Sequence, residues 1–297
     1  MKHCISLTLC LAVLLFITSC EKPSDTSAGQ SSPTVSVPRS DESVASKQEP
    51  LDPSPSIQAP PSSASQPRIF ANGTIGQMLK DTVGKPFGQL TAEELEAFTT
   101  LDLQQKKIDD LSGLERLQNL ESLSVGQNQI SSIAPLAGLE YLTQVDISSN
   151  RVTDATALGQ ISNLTSLSAG GNQIESVSGL AGLKNLKHLA ISDNPITEAS
   201  ALGKITTLQT LQLSDTMIRS LEGLEALSAL EELYLANTMI QDVTPLHSLK
   251  KLKRLNLHGA FVSLEKIAAL KAAVPGLEIA HDPEPQTTPP PPQNLSN

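Results

Sequence analysis

Tryptophan is absent from this 297-residue chain, and aromatic residues make up only 2% of it. Any core it builds is therefore aliphatic, with no large ring system to fill it. Positive charge is also scarce, with 21 Lys and Arg against 31 Asp and Glu and a net charge of −10. That balance excludes a nucleic-acid partner, since such binding rests on neutralising phosphates with Lys and Arg. The one basic run, Lys250-Lys251 with Lys253-Arg254, reads as a solvated flank. After the first 20 residues no segment approaches the roughly 20 apolar residues of a membrane-spanning helix. Motifs of chemistry are missing too: there is no nucleophile elbow, no zinc-protease pair and no dinucleotide fingerprint. Gly84-Lys85 is followed by Pro86, which fails the phosphate-loop pattern. His188 and His258 fall three strands apart, roughly 14 Å by strand spacing, too far to share one zinc. Asp193 and Asp215 supply only two carboxylates for a cation, and read as a solvated acidic edge. The sequence is read as that of a non-enzyme without cofactor or metal.

There are three cysteines. Cys4 and Cys10 lie in a short apolar segment behind Met1-Lys2-His3, which ends at Ile17-Thr18-Ser19-Cys20. A positive start, an apolar run too short to span a bilayer and small residues at its end describe a secretory signal over residues 1–19. The closing tetrapeptide resembles the bacterial lipobox, and that resemblance implies that Cys20 carries the lipid, palmitate included. Acylation would also account for an odd thiol in an exported chain. Glu21, rather than Asp, follows Cys20, which favours an outer-membrane or cell-surface location in the bacterial envelope. Residues 20–67 continue as a linker. Between 21 and 67, nine of 47 residues are Pro and 13 are Ser, a composition that cannot offset its own ordering entropy. As a coil it would span on the order of 40 Å, tethering a folded domain off the membrane. Residues 282–297, with Pro289 to Pro292, read as a second disordered tail.

Between these ends the chain repeats every 22 residues. Leu101, Leu123, Val145, Leu167, Leu189, Leu211, Leu233 and Leu255 keep that spacing without a slip, and Leu103 to Leu257 keep it two places later. A fixed period of this length marks a solenoid. In the unit from Leu120, apolar residues alternate through Leu123 and Val125, the mark of a short strand. They then recur every third residue through Ile130, Ile133, Leu136 and Leu139, which suits a 3-10 turn. Asn128, Asn150, Asn172 and Asn194 form a column at the turn after each strand, where a buried amide can satisfy backbone groups of its own and neighbouring units. Lys106, Thr216, Thr238 and Ala260 take the equivalent places, so later rungs depend on hydroxyls.

This pattern resembles the internalin type of bacterial leucine-rich repeat. The expected fold is an α/β solenoid: a leucine-rich repeat horseshoe with about eight parallel strands on the concave face and short 3-10 segments on the convex face. Repeats would occupy 101–262. A helical N-terminal cap would fill 68–100, with capping-box patterns Thr74-x-x-Gln77 and Thr91-x-x-Glu94. A helix-strand C-terminal cap would fill 263–281, with Ser263 opening a helix to about Val274, then Pro275-Gly276 and a closing strand at 277–280. The resemblance implies binding of a protein partner through the concave face, in adhesion or host contact, and the chain is expected to be a monomer. The alternative is a scaffolding lipoprotein that organises components of its own envelope.

Concave columns follow from strand alternation. In the first half they are small and polar. In the last units Glu232, Tyr234, Arg254 and His258 gather, and Met217, Met239 and Phe261 line the strand-exit rim. Tyr and Arg are enriched among interface hot spots and Met suits adaptable contact, so these seven form the candidate partner site. Two other readings stay open: the Met-Met-Phe ridge packs beneath the cap, or Glu232 simply pairs with Arg254.

Overall fold

The computed structural model describes residues 75–76 and 91–283. The expected signal, Cys20, the linker, the capping position at Thr74 and the tail beyond Pro283 lie outside the described residues. Nine three-residue strands form one parallel sheet in chain order. They are β1 (Thr100–Asp102), β2 (Ser122–Ser124), β3 (Gln144–Asp146), β4 (Ser166–Ser168), β5 (His188–Ala190), β6 (Thr210–Gln212), β7 (Glu232–Tyr234), β8 (Arg254–Asn256) and β9 (Glu278–Ala280). The repeat supplies eight of them, and the closing segment of the C-terminal cap pairs with β8 as the ninth.

Register follows the period. Leu101 pairs with Leu123, Leu123 with Val145, and so on to Leu233 with Leu255. The central residue of each repeat strand is buried and its neighbours point outward, because successive side chains alternate across a strand. At the entry to each of β2 to β8 one carbonyl accepts two amides; Glu121 O, for example, takes Thr143 N at 2.8 Å and Gln144 N at 3.2 Å. The opposite flank carries 3-10 turns at 114–116, 134–136, 156–160, 178–182, 200–204, 224–226 and 244–248. Ahead of several of them, Asp110, Asp154 and Asp242 each accept from the backbone N–H and hydroxyl two residues on. Aliphatic columns from Ile108 through Leu252 fill the space between sheet and turns, almost all below 3% exposure.

Each of the strands β1 to β8 leaves through a left-handed turn. Gln105, Gln127, Ser149, Gly171, Asp193, Asp215, Asn237 and Gly259 all have φ between 54° and 72°. For a non-glycine residue that conformation costs roughly 1–2 kcal/mol, and the asparagine that follows helps to hold it. Asn150 Nδ2 donates to Ile147 O (2.9 Å) and Ser148 O (3.2 Å) in its own unit and to Val125 O (3.0 Å) in the preceding one. Its Oδ1 accepts Ile130 N at 3.0 Å. Asn128, Asn172 and Asn194 repeat this set. Asn128 is only half-buried, whereas the other three are buried. Thr216 and Thr238 donate only within their own units, to Leu213 O and Leu235 O at 2.7 Å. The side-chain bridge between neighbouring units therefore stops after Asn194, and Ile196 N turns instead to Asn194 O at 2.8 Å.

Both ends of the described core are closed by helices. Helix α1 (Ala92–Glu96) opens on a capping box between Thr91 and Glu94 and buries Leu95. Helix α2 (Leu264–Ala273) starts at Ser263, whose hydroxyl accepts from Lys266 N, and buries Ile267 and Leu270. Gly276, at φ 86°, makes the turn into β9. Among the described residues no helix is long and apolar enough to cross a membrane.

On the turn flank, repeats approach so closely that some positions admit only glycine. A Cβ on Gly203 would sit 2.0 Å from Gly223 O, and one on Gly159 would sit 1.8 Å from Gly179 O. Exposed Gly138, in the same flank, has nothing within 4 Å of such an atom. Gly203→Ala is expected to destabilise the domain by on the order of 2–3 kcal/mol through overpacking. Gly138→Ala is expected to stay within about 0.5 kcal/mol of the parent. Urea unfolding followed by circular dichroism tests the pair.

Candidate functional site

The outward residues of the strands divide the sheet face into three zones. Around β1 to β3, side chains are tied to one another. Asp102 Oδ1 accepts Gln104 N at 3.1 Å, and Gln104 Nε2 donates to Ser124 Oγ. Ser124 Oγ donates to Asp146 Oδ2 at 3.3 Å, and Asp146 Oδ1 takes both Ser148 N and its hydroxyl. Around β4 to β6 the face is cut low by Ser166, Ser168, Gly170, Ala190, Ser192 and Ser214. His188 interrupts it, its Nδ1 lying 3.3 Å from Thr210 Oγ1. Burial and then Lys187 push that imidazole below its ordinary pKa.

The third zone, on β7 and β8, holds the larger groups. Glu232 faces the same way as Tyr234, two residues on, and pairs across the ladder with Arg254. Its carboxylate takes the Tyr234 hydroxyl on Oε2 at 2.9 Å and the Arg254 guanidinium on Oε1. Burial, reinforced by Glu232, raises the Tyr234 phenol above its usual range. Glu232 therefore orients an aromatic and a guanidinium with one carboxylate, and the ion pair foreseen between Glu232 and Arg254 exists. A charge-assisted bond of this kind fixes geometry more than it adds stability at an exposed position.

His258 belongs to a separate cluster. Its Nδ1 lies 3.0 Å from Asp282 Oδ1, while Asp282 Oδ2 accepts Gly259 N at 2.7 Å. Composition puts Asp282 at the head of a disordered tail, but the structure shows it seated against the last repeat. Strand β9 pairs with β8 at an offset of 24, Arg254 opposite Glu278, so Asp282 continues the column that contains His258. The signal was present in the sequence, displaced by the two extra residues of the cap.

Met217, Met239 and Phe261 form the rim. Their amides donate to Ile196 O, Ile218 O and Ile240 O at 2.9, 3.0 and 2.9 Å, a second backbone ladder that holds the row in line. Met217 is 41% exposed, and Met239 and Phe261 are half-buried. At about 4.8 Å per repeat the row runs roughly 10 Å. Hydrogen bonds thus unite Glu232, Tyr234 and Arg254, while His258 and the rim row stand beside them. Among the described residues no group of three or more His, Cys, Asp or Glu side chains could hold a metal.

Strand order, the 3-10 turns and the buried asparagines coincide with one known architecture. A family model described as leucine-rich repeats (two copies) matches residues 118–160, 162–204 and 206–246. The domain is a leucine-rich repeat solenoid. It resembles the solved structure of internalin C2 from Listeria monocytogenes at 28% identity, with a TM-score of 0.67, over 72% of this chain and 95% of that one. A second Listeria monocytogenes internalin shares the fold at 23% identity and a TM-score of 0.52, over 72% of this chain and 77% of that one. A leucine-rich repeat protein of Leptospira interrogans does so at 19% identity and 0.55, over 64% and 56%. No curated protein sequence matches the chain. The solenoid is internalin-like, and leucine-rich repeat proteins are typically interaction scaffolds.

The Asp282 contact is expected to make the end of the solenoid sensitive to acid. The Gly259 amide, and then His258, hold the Asp282 carboxyl below the ordinary carboxylate range. The Thr244 hydroxyl does the same for Asp242, which faces Lys266 of α2 at 3.7 Å. A carboxylate whose pKa is depressed by folding contributes stability above its unfolded pKa, about 3.9 for Asp, and loses it as pH falls through the folded value. Amide protection in β9 is therefore expected to be full at neutral pH and to fall below about pH 4. Asp282→Asn should lower β9 protection at neutral pH and weaken its pH dependence, as read by hydrogen exchange.

Proposed function

We propose that this protein is exported, anchored to a bacterial membrane through lipidated Cys20, and binds a protein partner through the strand face of its last repeats. The observation that carries this reading is the change of character along the face. The columns are mostly small and polar through β6, then present Tyr234 and Arg254 oriented by one carboxylate, while the rim carries a thioether left 41% exposed at Met217. A repeat fold needs none of these groups for its core, and aromatic and Arg anchors dominate binding energy at interfaces. Paired charges also suit the site. With Arg254 held by Glu232 and His258 by Asp282, a partner meets polar groups already positioned around an apolar rim.

The partner acts at the cell surface or outer membrane, in adhesion or host contact. Photocrosslinking on intact cells from probes at Tyr234 and His258 tests this. Recovery of a polypeptide from another organism supports the reading, whereas recovery only of envelope components from the same cell would replace it with the scaffolding role. Tyr234→Ala combined with Phe261→Ala is expected to reduce capture by at least about tenfold, since each removes an anchor of roughly 1–2 kcal/mol. Thermal unfolding of the variant checks that the solenoid persists; unchanged capture by the folded variant sinks the proposal. Separately, Cys20→Ser is expected to move the protein from the membrane fraction to the soluble fraction on ultracentrifugation.

A further inference from the structure

The chain leaves the last repeat at a fixed point. Asp282 Oδ2 accepts Gly259 N at 2.7 Å, and its Oδ1 lies 3.0 Å from His258 Nδ1. By the offset of 24 that sets Arg254 opposite Glu278, Pro283 counts level with Gly259. The described residues therefore end at the exit side of the strand face, two positions short of the level of Phe261. There the rim ladder, in which Phe261 N donates to Ile240 O at 2.9 Å, gains no further rung. Residue 285, in register with Phe261, is Pro and has no N–H to give.

What lies uncovered beside that point is apolar. Of the three large hydrophobic side chains left exposed among the described residues, two are on this flank: Met217 in the rim row and Leu264, three residues after Phe261. Half-buried Met239 and Phe261 lie between them. The amides of Met217, Met239 and Phe261 are all spent on the repeat before. The row thus offers apolar contact without a main-chain donor, and it suits an occupant that needs no ladder. A polyproline segment is such an occupant, since it forms no internal hydrogen bonds and keeps its carbonyls solvated.

We propose that the protein's own C-terminal tail, residues 284–297, folds back along this rim and covers Met217, Met239 and Phe261, so that a partner must displace it. The regulatory part rests on the reading of the rim as partner site; docking of the tail does not. The tail carries Pro289 to Pro292, no Gly and one charged side chain, Glu284. At about 3.1 Å per residue the four prolines run about 9 Å, against about 10 Å for the row. Residues 284–288 extend to about 15 Å, enough to turn from the strand direction onto the row. Proline is stiff before it binds, so little entropy is lost on docking. Tethered by Asp282, the tail stands at a local concentration of about a millimolar, where a contact with a millimolar dissociation constant is occupied about half the time.

The test compares the full-length protein with a variant carrying Pro289→Ser, Pro290→Ser, Pro291→Ser and Pro292→Ser together. Dilute hydrogen peroxide converts an accessible methionine to its sulfoxide, and peptide mass spectrometry reads the rate at Met217. That rate should be at least about twofold higher in the variant, at an unchanged melting temperature and at every protein concentration. Equal rates in the two chains overturn the proposal. So does protection of Met217 that fades on dilution, which would place the tail on a second copy. Capture from the Tyr234 probe should also rise about twofold in the variant; unchanged capture with Met217 released overturns the regulatory role. The oxidation rate needs no partner, so failure of the partner reading shows separately, as absence of capture by either chain.

Discussion

The ladder between neighbouring three-residue strands is the contact on which everything else depends. A strand of that length has no stability alone, and the unit that carries it buries only part of its own aliphatic surface. Placing Leu123 opposite Leu101 and Val145 opposite Leu123 completes the core of one repeat with the flank of the next. Stability is then a sum over adjacent pairs. The ends are where such a sum fails, and α1, α2 and β9 cover what the last repeats would otherwise expose. Turn geometry serves the same contact. The left-handed residue after each strand swings the chain out of the sheet, and Asn128 through Asn194 bridge that turn to the repeat before it.

Because the fold consumes certain columns completely, the others are free to vary. Buried leucines, ladder amides and bridging asparagines leave little room for substitution. The strand face and the exit rim carry no such duty. Departures from monotony on those surfaces are therefore informative: Tyr234 with Arg254 and Glu232 on the face, Met217 on the rim. The asparagine bridges also end after Asn194, so the repeats bearing the proposed partner site lack one of the side-chain ties that join those before them.

Much of this was legible before any coordinates. A strict period with alternating apolar residues admits one arrangement of strands, and the columns follow by counting. The candidate patch was legible as a list of residue types, because strand alternation says which side chains point out. Its internal bonding was open. Whether Glu232 would face Arg254 as a partner or merely as a neighbour depended on side-chain rotamers, which the period does not encode. Asp282 was hidden for a different reason: the cap shifts the register from 22 to 24, and counting by 22 steps past it. Nothing in the repeat singles out Gly159 and Gly203, since close approach between backbones has no signature in composition.

The sequence by itself determined the solenoid: its period, its strand and turn segments, its aliphatic columns and its outward faces, because each repeats locally and needs no distant contact to be recognised. Tertiary structure decided what single positions do once repeats are stacked. It placed one carboxylate between a phenol and a guanidinium, and seated Asp282 on the last repeat. Those outcomes depend on atoms 22 to 24 residues apart meeting in space, and only the packed stack brings them together.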